Sequence, residues 1–192
     1  SKERHYRIIS LVNNRGSVST EQLLDELNIS KMTLWRDLRA LEEAGHLRKV
    51  HGGAVATKSD EAPEPPFDTK KIVHMDTKRA LARHAAREYV GDAATVILEG
   101  GTTVAQMIPY ITADQTTVLT HGLNTLMMAA RQKPELTIIS CGGILRHPSL
   151  TFVGPEAEQF FHRFRVDTFF VSGTGISAES GITDPNPLEI QV

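Results

Sequence analysis

The chain has 192 residues, a formal net charge of −2, 40% hydrophobic and 23% charged residues, and one cysteine. That apolar fraction excludes a disordered chain, there is no run of about 18 apolar residues to span a membrane, and the first residues lack the layout of a secretory leader. A soluble, intracellular protein is expected, with room for one ordinary domain or a small domain plus a medium one.

Taken in chain order, residues 4–13 set Ile8, Ile9 and Val12 on one helical face and stop at the polar turn Asn13, Asn14, Arg15, Gly16. Ser19 with Gln22 three residues on forms a capping box ahead of a helix striped by Leu23, Leu24 and Leu27. After a turn at Asn28 and Ile29, Ser30 is the N-cap of a helix over 31–44, and Gly45 is its left-handed terminator. Two strand-like runs around Gly52 and Gly53 predict a β-hairpin. Residues 58–67 hold Pro63, Pro65 and Pro66 and read as an extended connector, because proline neither pairs into a sheet nor continues a helix. The charge divides there. The first 57 residues carry nine Lys/Arg against seven Asp/Glu, and the remainder twelve against sixteen.

Beyond the connector, helical and strand-like runs alternate. A helix over 77–90 leads to a strand at 94–98, a helical run at 102–108, a strand at 116–120, a helix at 123–132 and a strand at 136–140. A proline-bounded loop, a helix at 155–164 and a strand at 166–171 follow. Strands separated by helical stretches argue for parallel βαβ units, so residues 68–192 are expected to form an α/β domain. Cys141 alone closes no internal disulfide. The histidines never meet a second Cys or His at ligand spacing, His46 and His51 coming nearest, and no metal or other cofactor is expected.

Two helices joined by a short turn, the second opening on a capped serine, have the layout of a helix-turn-helix. At about 100° per residue, Leu34, Leu38 and Leu41 share one face of the second helix, and Met32, Trp35, Arg36 and Arg39 fall on the other. Lys31 and Thr33 flank the helix start, where backbone N–H groups favour a phosphate. That face offers cations for phosphates and guanine edges, a hydroxyl, and apolar atoms for a thymine methyl. Ser19, Thr20 and Ser30, at the two helix starts, join the candidate DNA-binding set. Arg48, Lys49 and His51 in the hairpin add a basic edge that would lie along the backbone as a wing. Asp37 reads as a structural partner for a neighbouring arginine, and Trp35 as either a DNA contact or a packing residue against the hairpin.

Residues 18–55 resemble the N-terminal region of the DeoR-type transcriptional regulators. Ser30, Thr33, Leu34, Arg36, Asp37 and Leu38 match the helix-turn-helix part of that pattern, and Gly45, Leu47, His51, Gly52, Gly53 and Ala54 the part that follows. Trp35 stands where the pattern has the first basic residue of a pair, and Lys49 where it has arginine. The resemblance implies a winged helix-turn-helix domain over residues 1–57, binding double-stranded operator DNA.

In the second segment the strands run into turns rich in glycine: Glu99 to Thr103, His121 to Asn124, Cys141 to Gly143, and Ser172 to Gly175. A parallel sheet brings its C-terminal strand ends to one edge, so these turns should converge. Glycine lets backbone N–H groups approach an anion, and Thr102 and Thr103 sit where a helix start would add hydroxyls and its dipole. Glu99 suits sugar hydroxyls, and Arg146 is a second candidate cation. The candidate effector-binding residues are Glu99, Gly101, Thr102, Thr103, His121, Gly122, Gly142, Gly143, Arg146, Gly173, Thr174 and Gly175. Neither a dinucleotide nor a Walker-type glycine motif occurs.

The runs KRALA from Lys78, EGGTT, THGLN, CGG, FFVSGTGI and GITD from Gly181 are similar to the DeoR-type C-terminal sensor domain. That resemblance implies a fold related to the ribose-5-phosphate isomerase and CoA-transferase group, a phosphorylated sugar effector, and a cytoplasmic, nucleoid-associated bacterial repressor acting as a dimer or tetramer, not an enzyme. Relatives continue past residue 192, so a C-terminally truncated chain is expected. The competing reading is a sugar-phosphate isomerase with Glu99 as base.

Overall fold

A computed structural model describes residues 2–57, 64–184 and 186–192, with Asn14 described in its backbone only. Residues 58–63 of the expected connector therefore lie outside the described residues. The chain divides into two compact units, Ser1–Val73 and His74–Val192.

The first unit holds α1 (Lys2–Arg15), β1 (Ser17–Ser19), α2 (Thr20–Leu27), α3 (Lys31–Glu43), β2 (Leu47–Val50), β3 (Gly53–Ala56) and α4 (Phe67–Ile72). The expected caps are present. Ser19 and Gln22 close a reciprocal capping box on α2, and Ser30 Oγ accepts the Thr33 N–H at 3.2 Å to start α3. Each cap satisfies backbone donors that would otherwise have no partner at a helix start. Asn28, left-handed at φ 49°, ends α2, and Gly45 at φ 77° turns the chain after α3. Ile8, Val12, Leu23, Leu34, Leu38 and Leu47 are fully buried in one core, so the apolar stripes of all three helices face a common centre.

The sheet has a strand that periodicity misses. β1 pairs antiparallel with β3, and β3 with β2, in the order β1-β3-β2. Three residues are too short to signal a strand; only Val18, buried between exposed Ser17 and Ser19, carries the alternation. The close approach requires glycine at position 53. A Cβ there would lie 2.3 Å from the Val18 carbonyl oxygen. A second departure concerns the connector. Phe67 is buried at the start of α4, which packs against α1, so residues 67–72 go with the first unit.

The second unit comprises α5 (Met75–Tyr89), β4 (Thr95–Leu98), a 3₁₀ segment (Val104–Tyr110), β5 (Thr117–Thr120), α6 (Leu123–Gln132), β6 (Thr137–Ser140), β7 (Ile144–Arg146), β8 (Thr151–Val153), α7 (Pro155–Phe161), β9 (Thr168–Phe170), β10 (Gly175–Ser177), β11 (Gly181–Thr183) and α8 (Pro187–Ile190). Four strands form a parallel sheet in the order β6-β5-β4-β9. Val118, Leu119 and Thr120 of β5 are all buried, as a central parallel strand covered on both faces requires. Ala82 and Ala86 from α5, Met107 and Ile108 from the 3₁₀ segment and Ala129 from α6 close over Val96, Leu98 and Val118.

Two hairpins replace what read as loops. β7 and β8 pair antiparallel inside the proline-bounded loop, and β10 and β11 pair after the last parallel strand. The run expected to be helical at 102–108 is a 3₁₀ segment. Pro109 has no N–H to donate and restricts the residue before it, so an α-helix cannot extend through it.

Candidate functional site

The first unit presents α3 with one buried and one open face. Leu34, Leu38 and Leu41 are buried, whereas Lys31, Trp35, Arg36 and Arg39 are exposed and Met32 is 83% exposed. These residues occupy the open face with different freedom. Arg39 is tied to Glu43 at 2.9 Å, one turn on. Lys49 on β2 donates its N–H to Glu42 Oε1 at 2.7 Å, sets its ammonium 3.3 Å from Oε2, and lies 5.9 Å from the centre of the Trp35 ring. That N–H first, and then the Lys49 charge against the opposing effect of burial, holds the Glu42 carboxyl below the usual carboxylate range. Lys31 and Arg36 make no hydrogen bond or ion pair among the described residues.

Ser19 and Ser30 spend their hydroxyls on helix caps, and Thr33, half-buried, lies with its hydroxyl 2.9 Å from that of Ser30. His51 is exposed at the hairpin tip. Thr20 departs from the expectation. It is 8% exposed, its hydroxyl is buried without a partner among the described residues, and its N–H donates to the Gly52 carbonyl at 2.7 Å, so its side chain is closed off from a phosphate. Asp37 is the structural partner of an arginine that it reads as. It is 3% exposed and receives Arg4, together with His5, from α1, 33 and 32 residues away in the chain.

At the edge of the parallel sheet, several strand-end turns meet. The Gly100 N–H donates to His121 Nε2 at 2.9 Å, and Ser172 donates its hydroxyl to Glu99 Oε2 at 2.9 Å. A Cβ at Gly100 would lie 2.4 Å from Thr151 Cγ2, and Gly122 bridges to Thr151, so β8 of the hairpin folds against the first two turns. Burial pushes the Glu99 carboxyl up, opposed by His121 and by the hydrogen bonds from Ser172 and the Gly101 backbone. A raised carboxyl favours the fold below its unfolded pKa, near the ordinary 4.5, and loses that advantage as pH rises through the folded value. Glu99→Gln is therefore expected to melt above the parent chain at pH 8, the gap closing as pH falls toward the ordinary carboxylate range in a calorimetric series. A gap that widens on acidification would contradict it.

Other candidates sit differently. Thr102 is buried and accepts the Lys78 ammonium at 2.9 Å, while Thr103 is half-buried and opens the 3₁₀ segment without a side-chain cap. The expected helix dipole at this turn is reduced to that of a short 3₁₀ run. Gly142, at φ 67°, faces open space, and Gly143 packs beside the Val153 carbonyl. Gly173, Thr174 and Gly175 are not an open anion loop. The Thr174 N–H donates to the Thr183 carbonyl at 3.0 Å, its hydroxyl donates to Asp184, and Gly175 pairs with Thr183 in the β10–β11 hairpin. Arg146 lies in β7 beside Ser149, Thr151 and the Glu189 carboxylate, 3.1 Å from its Nη1. Burial pushes the Cys141 thiol up to about 11, which keeps it in the protonated thiol form near neutral pH.

Sequence reasoning passes over Lys78, Ser149, Thr151 and Glu189, and places Ser172 only as the start of a strand-end turn. Lys78 heads the KRALA run, its one available signal. Ser149, Thr151 and Glu189 come to the edge through a hairpin and long-range contacts that have no period.

A capped helix with an exposed cationic face, preceded by a helix and turn and followed by a β-hairpin, has the layout of a DNA-binding module; the parallel sheet, with strand-end turns meeting at its edge, is a second, α/β module. The profile of the DeoR-like helix-turn-helix domain matches residues 4–60, and that of the DeoR C terminal sensor domain residues 73–192. The chain is 33% identical over 184 residues to the uncharacterized HTH-type transcriptional regulator YulB of Bacillus subtilis, covering 96% of this chain and 70% of that protein. It is 33% identical over 190 residues to the HTH-type transcriptional regulator GlpR of Haloferax volcanii, covering 99% and 73%. It is also 33% identical over 175 residues to the lactose phosphotransferase system repressor of Staphylococcus epidermidis, covering 91% and 69%. The chain belongs to the DeoR family of helix-turn-helix transcriptional regulators.

Proposed function

We propose that this chain is a cytoplasmic, nucleoid-associated repressor of a sugar or sugar-derivative catabolic operon, whose grip on operator DNA is released by a phosphorylated sugar. The observation that carries the reading is the pairing, in one chain, of the open face of α3 with a sheet edge where glycine turns, Lys78 and Arg146 gather. Lys31, Met32, Trp35, Arg36, Arg39, Lys49 and His51 would meet DNA, Arg36 reading a base edge and the others phosphates or methyl groups. Glu99, Gly101, Thr102, His121 and Gly122 would hold the effector. The lactose repressor among the relatives supports a sugar-linked operon. The second unit would belong to the ribose-5-phosphate isomerase and CoA-transferase fold group; its parallel order β6-β5-β4-β9 supports the broader doubly wound α/β class. A homodimer or tetramer would present paired reading helices to operator half-sites. Glu99 is engaged by Ser172 and the Gly101 backbone, which favours a binding role over that of a catalytic base.

The test is an operator titration with the effector present and absent. Affinity should fall steeply with salt, as phosphate contacts require, and a phosphorylated sugar should lower it about 5- to 150-fold by linkage while the unphosphorylated sugar leaves it unchanged. Salt-independent binding, or indifference to every sugar phosphate, would overturn the reading. Turnover of ribose or hexose phosphates that is lost in Glu99→Gln would point to the isomerase instead.

A further inference from the structure

Glu189 lies in α8, and its carboxylate is well enclosed. One oxygen, Oε1, receives the Ser149 hydroxyl, the Thr151 hydroxyl at 2.7 Å and Arg146 Nη1 at 3.1 Å, donors 38 to 43 residues away in the chain. Arg146 and Glu189 are 15% and 12% exposed in their side chains, and Ser149 and Thr151 are 6% and 1% exposed. A guanidinium with two buried hydroxyls aimed at a single point is the donor set that recognises a phosphate monoester, which carries more charge than a carboxylate and more oxygens to share among the same donors. The seat adjoins the sheet edge, because Thr151 lies against Gly100 and bridges to Gly122.

We infer that Arg146, Ser149 and Thr151 form a phosphate seat that the chain's own Glu189 carboxylate fills, and that the effector's phosphate takes the seat by displacing that carboxylate. The inference rests on the phosphorylated-sugar reading above and gives it a regulatory part. Because Glu189 competes for the donors, it lowers the apparent affinity for phosphate and sets the concentration at which the regulator responds.

The test uses the chain with inorganic phosphate as probe, titrated calorimetrically at fixed ionic strength. Glu189→Ala should bind phosphate about tenfold more tightly than the parent, Glu189→Gln should fall between them, and adding Arg146→Met should abolish binding in either background. Should Arg146→Met fail to fold, Thr151→Val removes one donor while keeping the shape and should weaken phosphate binding in the Glu189→Ala background. Equal phosphate affinity in the parent and Glu189→Ala overturns the inference, and so does binding that survives loss of the seat's donors. A pair with a purely structural role would lower the melting temperature of Glu189→Ala without raising affinity, which also overturns it. The parent reading fails separately. If a sugar phosphate releases operator DNA from the parent and Glu189→Ala at the same concentration, that reading stands and the seat does not; if no sugar phosphate releases DNA and no variant binds phosphate, both fall.

Discussion

Replacing Arg36 with alanine is expected to weaken binding to a selected operator by about 10- to 100-fold, while affinity for random-sequence duplex changes by about threefold or less. The expectation follows from what each cation on the open face is doing before DNA arrives. Arg39 is held by Glu43 and Lys49 by Glu42, so their charge is partly answered within the protein. Arg36 is exposed on the same face without a partner among the described residues, and its planar fork suits the two acceptors of a guanine edge. Anisotropy titrations with both duplexes at two salt concentrations read the effect. Arg39→Ala should lower both affinities alike and reduce the salt slope by about one, as loss of a phosphate contact does. Equal losses on operator and random DNA for Arg36→Ala would move that residue from base reading to the backbone.

The second large effect is expected at Asp37, which touches no DNA in this reading. Burial pushes its carboxyl up, but hydrogen bonds from Arg4 and His5, aided by their charges, outweigh burial and hold it below the usual carboxylate range. Asp37→Asn leaves Arg4 without its charge partner and is expected to destabilise the first unit by about 2–3 kcal/mol, less than a fully buried pair because Arg4 and His5 can regain water. For a unit of this size that lowers the melting temperature by about 10–20 °C. Trp35, the one tryptophan, sits on α3 and reports the transition by fluorescence. The pH dependence has a definite sign. A lowered carboxyl stabilises the fold above its ordinary value of 3.8 and loses that contribution as pH falls through the folded value, so parent and variant should converge in strong acid. A difference that persists unchanged below that range would assign the effect to packing.

The Asp37 contacts also mark where sequence reading stops. The helix-turn-helix was legible because its signals are local: the Ser19 and Ser30 caps, the leucine stripe of α3, Gly45 and the paired glycines of the hairpin all act within a few residues. The parallel strands were legible too, since their alternation with helices has a period. β1 and the two hairpins of the second unit were not, because three-residue strands carry almost no pattern and exist through partners far along the chain. The same division runs through the candidate site. Glu99, His121 and Gly122 could be placed at strand ends from the glycine turns, but the loop at Gly173 to Gly175 proved to lead into a hairpin with both donors of Thr174 already used.

By itself, then, the sequence determined the reading helix, its caps, its open face and the resemblance that names the family, all features written in short-range spacing. Tertiary structure decided which of those residues are available. It closed off Thr20, tied Lys49 to Glu42, joined Asp37 to α1, set Lys78 on Thr102 and placed Glu189 on Arg146. Availability depends on which distant groups a side chain meets, and those meetings are fixed by how sheets and helices pack, for which spacing along the chain carries no record.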